Sequence, residues 1–374
     1  MAEQPGQILR GFTVGITADR RADEQAVLFE RRGASILHGP AIRTLPLGAE
    51  GPLRAATEAI IATPPDVLIA NTGLGIRSWL GAADTWDLGA PLLGALRPAR
   101  IYARGPKASG AAHQAGLAVV ARSPTERLRD VVDLVLAEMA PGQRVVLQVD
   151  GSGESAEAER LRRAGAEVVV VPVYLWKLPE DPRPTLRLAE AVIAGRVHAV
   201  TFTAGPAVRN WLTIAAEAGI DDDLRHVLTS GRVIVGCVGP VCADTARSVG
   251  IDSEHMVLPA AWRLGPLVRA VADRLAERAI TVPLGGAKLV VTGTVATVAG
   301  EAVCLTDTEA RLLATLAGRP NSVFTKEHLL RAVWDNETED PHAVEVGIAR
   351  LRRRLGVHGR AVASVHRRGY TLRA

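Results

Sequence analysis

The first 280 residues repeat themselves, with short landmarks recurring at a nearly constant offset of about 132 positions. Gly33, Ala34 and Pro40 reappear as Gly165, Ala166 and Pro172, and Arg77, Trp79 and Leu80 as Arg209, Trp211 and Leu212. Gly105, Pro106 and Gly116 reappear as Gly239, Pro240 and Gly250, at an offset of 134. Two related halves are expected. In both, apolar runs such as VLIA, VVLQV, HAVTF and VIVGCV lead into Gly-rich turns and then amphipathic helices, the pattern of parallel βαβ units. Pro206 and Pro240 fall where the first helical position should be, at which the missing N–H costs nothing.

Parallel strands of one sheet all end at the same edge. The helix N-termini after Asn71, Gly105, Gly151, Gly205 and Gly239 are therefore expected to gather unpaired N–H groups along facing rims, a cleft that favours anions. Any one Gly or Pro turn could serve only to make a tight connection; five of them in two halves favour a ligand cleft. No competing site emerges. His38, His113, His198, His226 and His255 are scattered, without metal-ligand spacing or a nucleophile elbow. Cys237, Cys242 and Cys304 are too few and too irregularly spaced for a disulfide framework or a tetrahedral metal site. No metal and no cofactor is expected.

At 374 residues the chain is too long for one ordinary domain. No apolar run reaches the roughly 18 residues of a membrane span, and the start MAEQPGQILRG has no signal-peptide core, so no membrane partner and a cytoplasmic location are expected. Of the 44 basic residues only four are Lys, a bias that suits GC-rich coding. The net charge of +4 is unevenly placed: residues 1–283 hold 31 basic and 31 acidic side chains, whereas 284–374 hold 13 and 9. From Arg350 to Ala374 there are eight Arg and no Asp or Glu, as on a phosphate-contacting face, although a solvated terminal run would look the same by charge alone.

That tail has three legible helices. Thr306 and Glu309 form a capping box ahead of Leu312, Leu313 and Leu316; Gly318 and Pro320 end the helix. Thr325 caps a second helix with Leu329, Leu330, Val333 and Trp334, and DNETED forms a loop. Asp340 and Pro341 open a third as N-cap and first position. On it Val344, Ile348, Leu351 and Leu355 make one stripe for the core, while His342, Val346, Ala349, Arg350 and Arg353 project oppositely, with Arg352 and Arg354 on the flanks. Such a helix can pack on one side and enter a major groove on the other. The segment VASVHRRGYTLRA then reads as a hairpin with an Arg-rich tip, a wing.

The segments LTDTEARLLATLAGRPNSVFTKEHLLRAVW, AVEVGIARLRRRLG and SVHRRGYTL resemble the OmpR/PhoB-type effector domain of response regulators. The resemblance covers about the last seventy residues and implies a winged helix-turn-helix on double-stranded DNA, with LVVTGTVATVAGEAVCL as its leader sheet. It implies DNA contacts at His342, Val346, Gly347, Ala349, Arg350, Arg352 and Arg353 and, at the wing, Ser364, His366, Arg367 and Arg368. His342, Gly347, Ala349 and His366 depart from the family's usual residues, so no base preference carries over. A role in protein contacts alone is the rival reading.

The segments RGFTVGITADR, ANTGLGIR, VVVVPVY, TFTAGPAVRNWL and VGCVGPVCADTARSVGI, in that order, resemble uroporphyrinogen-III synthase, the two-lobed HemD enzyme that closes a linear tetrapyrrole. The implied fold is α/β, two lobes with flavodoxin-like parallel sheets, followed by the winged helix. Lobe 1 would take residues 1–45 and 176–280, lobe 2 46–175, and the effector 281–374. The implied cleft residues are Thr17, Asn71, Thr72, Gly73, Gly105, Gly151, Thr203, Gly205, Gly239 and Cys242, with Tyr174 at the family's tyrosine position. The family's serine-bearing turn stands here as Thr203, Ala204, Gly205, and its Thr-rich turn as Val241, Cys242, so hydroxyl donors are partly lost. Tyr174 is catalytic or a packed core tyrosine. Paired acidic residues of a receiver domain do not follow the first strand.

Together these parts imply a transcription regulator that senses a small anionic ligand, tetrapyrrole-like or another polycarboxylate, acting as a homodimer on DNA or with another regulator. Similar fusions among actinobacterial regulators imply control of nitrate and nitrite assimilation. The alternatives are a working synthase with an appended DNA-binding domain and a dimerisation scaffold without ligand.

Overall fold

The computed structural model describes residues 7–46, 51–149, 156–334 and 340–374. They form two compact units: Arg43–Leu178 is one, and the residues up to Ile42 together with Pro179–Ala374 are the other.

The second unit contains the lobe 1 sheet, built from β1 (Thr13–Ile16), β2 (Ser35–His38), β10 (Ala199–Phe202), β11 (Ile234–Cys237) and β12 (Met256–Val257). Their order is β2-β1-β10-β11-β12, all parallel. The helices are α1 (Ala22–Glu30), α8 (Arg183–Ile193), α9 (Gly205–Glu217), α10 (Asp221–Thr229), α11 (Pro240–Ser248) and α12 (Leu264–Ala276). The runs AVTF and IVGC are buried along their whole length, as strands covered on both faces must be.

Arg43–Leu178 holds lobe 2, with β4 (Val67–Ala70), β5 (Arg100–Ala103), β6 (Val119–Arg122), β7 (Arg144–Val149) and β8 (Glu167–Pro172) in the parallel order β8-β7-β4-β5-β6. Its helices are α2 (Pro52–Ala62), α3 (Gly73–Thr85), α4 (Gly89–Leu96), α5 (Pro106–Gln114), α6 (Leu128–Glu138) and α7 (Ala156–Arg163). With β7-α7-β8 set against β1-α1-β2, both sheets have the flavodoxin-like order 2-1-3-4-5, lobe 2 as a circular permutation of lobe 1. The sequence landmarks mark equivalent places. Trp79 and Trp211 are both 0% exposed, and Gly33 and Gly165 turn the chain into β2 and β8 at φ 92° and 88°, a region only Gly enters without strain. The connecting segments, β3 (Arg43–Pro46) and β9 (Tyr174–Lys177), pair antiparallel with each other. Both strands belong to the Arg43–Leu178 unit, whose ends lie at 42/43 and 178/179 and not at the expected 45/46 and 175/176.

The effector opens with an antiparallel sheet, β13 (Ile280–Leu284), β14 (Ala287–Thr292), β15 (Val295–Val298) and β16 (Glu301–Cys304). Then follow α13 (Asp307–Gly318), α14 (Lys326–Trp334), α15 (His342–Arg354) and the hairpin β17 (Val362–Val365) and β18 (Gly369–Leu372). One core joins Val282, Leu289 and Val291 of the leader sheet to Leu312, Leu329, Ile348 and Leu372. The effector abuts lobe 1 at the β14–β15 turn, where Thr294 donates its backbone N–H to Gly11 O at 2.9 Å. Gly11 and Gly293 allow this approach: a Cβ on the first would collide with Thr292 O, and one on the second with Gly11 O. Among the described residues no helix is long and apolar enough to cross a membrane.

Candidate functional site

The helical part of the effector is fixed from its ends. Thr306 Oγ1 accepts from the Glu309 N–H at 3.3 Å and Glu309 Oε2 from the Thr306 N–H at 2.9 Å, the reciprocal cap that the spacing predicts. The same Glu309 carboxylate, 6% exposed, lies 3.5 Å from Arg354 Nε, tying the start of α13 to the end of α15. Thr325 Oγ1 accepts from the His328 N–H at 3.2 Å at the start of α14. The third helix starts one residue later than expected: Asp340 Oδ1 accepts from the His342 N–H at 2.9 Å, and Pro341 stands ahead of the helix instead of inside it.

Helix α15 buries Val344, Ile348, Leu351 and Leu355 and exposes His342, Val346, Ala349, Arg350 and Arg353. Two residues expected on the reading face have other employment. Gly347 is turned inward, where a Cβ would stand 2.8 Å from Leu312 Cδ1 and 3.2 Å from Trp334 Cη2; it lets α15 approach α13. Arg352 donates from Nε to Val362 O at 2.7 Å and from Nη2 to Ser364 Oγ at 2.9 Å, with its guanidinium over Tyr370, so Arg352 and Ser364 brace the helix against the wing. His366, Arg367 and Arg368 form the exposed wing tip. The wing is anchored because Phe324 and Tyr370 exchange backbone bonds at 2.8 and 2.9 Å, beside Gly369 at φ 127°. Glu345 is the acidic residue of α15; Lys326 first and His342 second hold its carboxyl below the usual range, and Glu345 raises Lys326 in return.

In lobe 2 the turn between β4 and α3 collects Asn71, Thr72, Gly73 and Tyr174. Thr72 Oγ1 accepts from the Gly75 N–H at 3.0 Å and so caps α3; the Thr72 N–H donates to Gln148 Oε1 at 2.9 Å. The Tyr174 hydroxyl reaches Thr72 Oγ1 at 3.5 Å from a ring that is 5% exposed. Asn71 is buried with its side-chain Oδ1 unpartnered among the described residues. Gln148, which orients this turn, was visible in sequence as the polar member of VVLQV but had no assigned role. Gly73 packs against the Lys107 carbonyl, so α3 and α5 start side by side. Over the Gly105 turn lies the Glu126 side chain, a carboxylate of the chain itself where an open anion rim was expected.

In lobe 1 only part of the expected set faces outward. Thr17 is fully buried and donates its hydroxyl to Thr201 O at 2.8 Å; it stitches β1 to β10 and is not a cleft donor. Gln25 donates from Nε2 to Thr201 Oγ1 at 2.8 Å, completing a polar cluster that sequence reasoning missed. Thr203 is partly exposed, Gly205 packs on Thr245, and Gly239 lies beside Trp262, whose Cγ a Cβ added at Gly239 would meet at 3.5 Å. Cys242 is turned inward: its thiol, 3.6 Å from Phe202 O, is pushed up by a hydrogen bond with Cys237 and by burial, so it supplies no replacement for a cleft hydroxyl. Gly151 lies outside the described residues. Pro206 occupies the second position of α9, one later than expected, and Pro240 the first of α11.

Comparison with known proteins gives two family matches: Uroporphyrinogen-III synthase HemD over residues 23–263, and Transcriptional regulatory protein, C terminal, over residues 300–372. The uncharacterized protein YjjA of Bacillus subtilis is 25% identical over 273 residues, 73% of this chain and 99% of its own. The transcriptional regulatory protein AfsQ1 of Streptomyces coelicolor is 34% identical over 129 residues, 31% of this chain; the match spans 57% of AfsQ1. A mutant uroporphyrinogen III synthase from Thermus thermophilus superposes with a TM-score of 0.58 at 29% identity, covering 71% of this chain and 99% of that one.

Proposed function

The chain belongs to the uroporphyrinogen-III synthase HemD family and carries a C-terminal DNA-binding domain of the OmpR/PhoB type; on that premise we propose that it is a cytoplasmic transcription regulator whose HemD-like lobes respond to a small anionic ligand. The ligand class is a tetrapyrrole-like or other polycarboxylate, and the regulated genes are those of nitrate and nitrite assimilation. The observation that carries the reading is the exposed face of α15, Val346, Ala349, Arg350 and Arg353, beside a wing tip of His366, Arg367 and Arg368. A helix of that shape places guanidinium groups at base edges and phosphates while its other face stays in the core. Two copies on repeated half-sites are the expected occupancy.

The test is salt-dependent binding of the purified chain to its own upstream DNA, with genome-wide mapping of bound sites to name the genes. Arg350→Ala with Arg353→Ala should weaken binding at least about tenfold and make the salt slope shallower by about 0.9 for each phosphate that is no longer neutralised. Unchanged affinity would remove α15 from the groove.

A second reading, a working synthase with a DNA-binding domain, is favoured by the Tyr174 hydroxyl beside the Thr72 cap and the Asn71 oxygen, which is unpartnered among the described residues. Ala204 and the inward Cys242 weigh against it. Cyclisation of hydroxymethylbilane at the rate of an ordinary synthase would establish it, and Tyr174→Phe and Thr72→Ala should then lower kcat.

A further inference from the structure

Where the effector meets lobe 1 there is a cavity of about 300 Å³, and we propose that it binds a small monocarboxylate with an apolar tail, a second ligand site separate from the turns above. Its walls come from both parts. Lobe 1 contributes Val192, Ile193, Val197, Val227 and Val233 at the N-terminal edge of its sheet, and the effector contributes Ile280, Val291, Ala310 and Ala314. The volume is at the small end of ligand cavities, about 300–1,000 Å³, and an apolar interior with a few placed polar groups is their usual lining.

The charged group on which the site rests is Arg278; Arg232, Arg311 and Asp307 also line the cavity, but Arg311 donates from Nη2 to Ala332 O at 3.4 Å and Arg232 has interactions of its own. The Arg278 guanidinium is fixed by two backbone carbonyls, Nη1 to Arg232 O at 2.6 Å and Nη2 to Gly231 O at 2.7 Å. Carbonyls hold its position without cancelling its charge, and among the described residues no carboxylate forms an ion pair with it. His198 accepts the Thr13 N–H on Nδ1 at 3.0 Å, so the neutral ring carries its proton on Nε2, a donor left to the cavity. Its pKa is lowered, by burial first, which keeps the ring neutral at physiological pH. An apolar chain lying against the valines with its carboxylate at the Arg278 guanidinium satisfies both linings at once.

The position gives such a ligand a consequence. Ala310, Arg311 and Ala314 belong to α13, which shares its core with α14 and α15, so an occupant touches both the lobe and the helix that supports the reading helix. Its differential affinity for the docked effector is what would bias DNA binding.

The probe is sodium hexanoate, with hexylammonium chloride as the charge-reversed control, titrated calorimetrically into the full chain. Hexanoate should bind saturably, hexylammonium should not, and saturating hexanoate should change DNA affinity several-fold. Arg278→Gln removes the charge and should weaken hexanoate at least about tenfold, the scale of a lost charge-assisted hydrogen bond. Ala314→Leu fills the space without touching Arg278's carbonyl bonds and should abolish binding, so misfolding of one variant does not decide the result. Absence of saturable hexanoate binding to the folded wild-type chain, binding that survives both substitutions, or equal binding of hexylammonium would each overturn the assignment.

Discussion

The turn that starts α3 and the turn that starts α9 have nearly one backbone, φ −136° and ψ 142° at Thr72 and φ −144° and ψ 137° at Ala204, yet only the first has a hydroxyl to cap its helix. The opposite sheet edges differ in the same manner. Asp66 precedes β4 and its Oδ2 accepts the N–H of Arg144 at 2.7 Å; His198 precedes β10 and its Nδ1 accepts the N–H of Thr13 at 3.0 Å. Around both, the backbone bonds match: Asp66 N–H to Arg144 O and His198 N–H to Thr13 O. The duplicated fold preserves the positions and lets their chemistry follow the surroundings. Asp66 is exposed, where a carboxylate is cheap to keep charged, whereas His198 lies under the effector, where a neutral ring accepts the same bond without a buried charge.

If packing is what the lobes share, its largest element should respond alike in both. Trp79→Ala and Trp211→Ala should each cost about 3–5 kcal/mol, since both rings are fully buried and both indole N–H groups are bonded, to Thr57 Oγ1 at 2.9 Å and Thr185 O at 3.2 Å. Hydrogen exchange resolved by lobe is the measurement, because a single melting point does not describe two units. Strongly unequal losses would break the equivalence. Next in size, Gly73→Ala should cost about 2–3 kcal/mol and Gly205→Ala about 1. The new methyl at 73 meets the Lys107 backbone carbonyl inside α5, whereas at 205 it meets the Thr245 hydroxyl, which can rotate away from its bond to Val241 O.

These contrasts explain what could be read in advance. Positions that build structure were legible: the Gly33/Gly165 and Trp79/Trp211 pairs, the Thr306–Glu309 cap and the Val344–Leu355 stripe each obey a local rule of turn, packing or period. Side-chain direction at the turns was not. Thr17, just after β1, and Cys242, in the first turn of α11, point inward because Thr201 and Phe202, residues far away in the chain, supply their partners. Arg352, expected as a DNA contact on the flank of the reading face, instead has local partners in the Val362 carbonyl and the Ser364 hydroxyl. The joint between effector and lobe 1 rests on Gly11 and Gly293, far apart in sequence and ordinary in composition.

Smaller effects separate the two turns themselves. Thr72→Ala should destabilise α3 by about 1 kcal/mol, and Ala204→Ser should stabilise α9 by less, since its backbone suits a cap bond but the Ala207 N–H already donates to Ala204 O at 3.2 Å. Exchange rates of the first-turn amides read both changes, and no gain from Ala204→Ser would mean the α9 turn is closed to a hydroxyl.

The subtlest contrast is in pH. His198 has its pKa lowered by burial, with Asp307 opposing and Arg278 reinforcing. The folded chain therefore binds this proton less readily than the unfolded chain, and linkage makes stability fall as pH drops. The contribution is fully present above about pH 6.5, the unfolded value, and is lost as pH falls below it toward the folded value. His198→Asn retains an acceptor for the Thr13 N–H but cannot titrate. Denaturation of the unit containing lobe 1 and the effector should then lose part of its acid sensitivity, while exchange in lobe 2, where Asp66 stands exposed in the equivalent place, keeps its own pH profile. An unchanged pH profile in His198→Asn would show that the lobe 1 edge is wetter than its lining implies, and would remove the reason offered for histidine standing where the other lobe has aspartate.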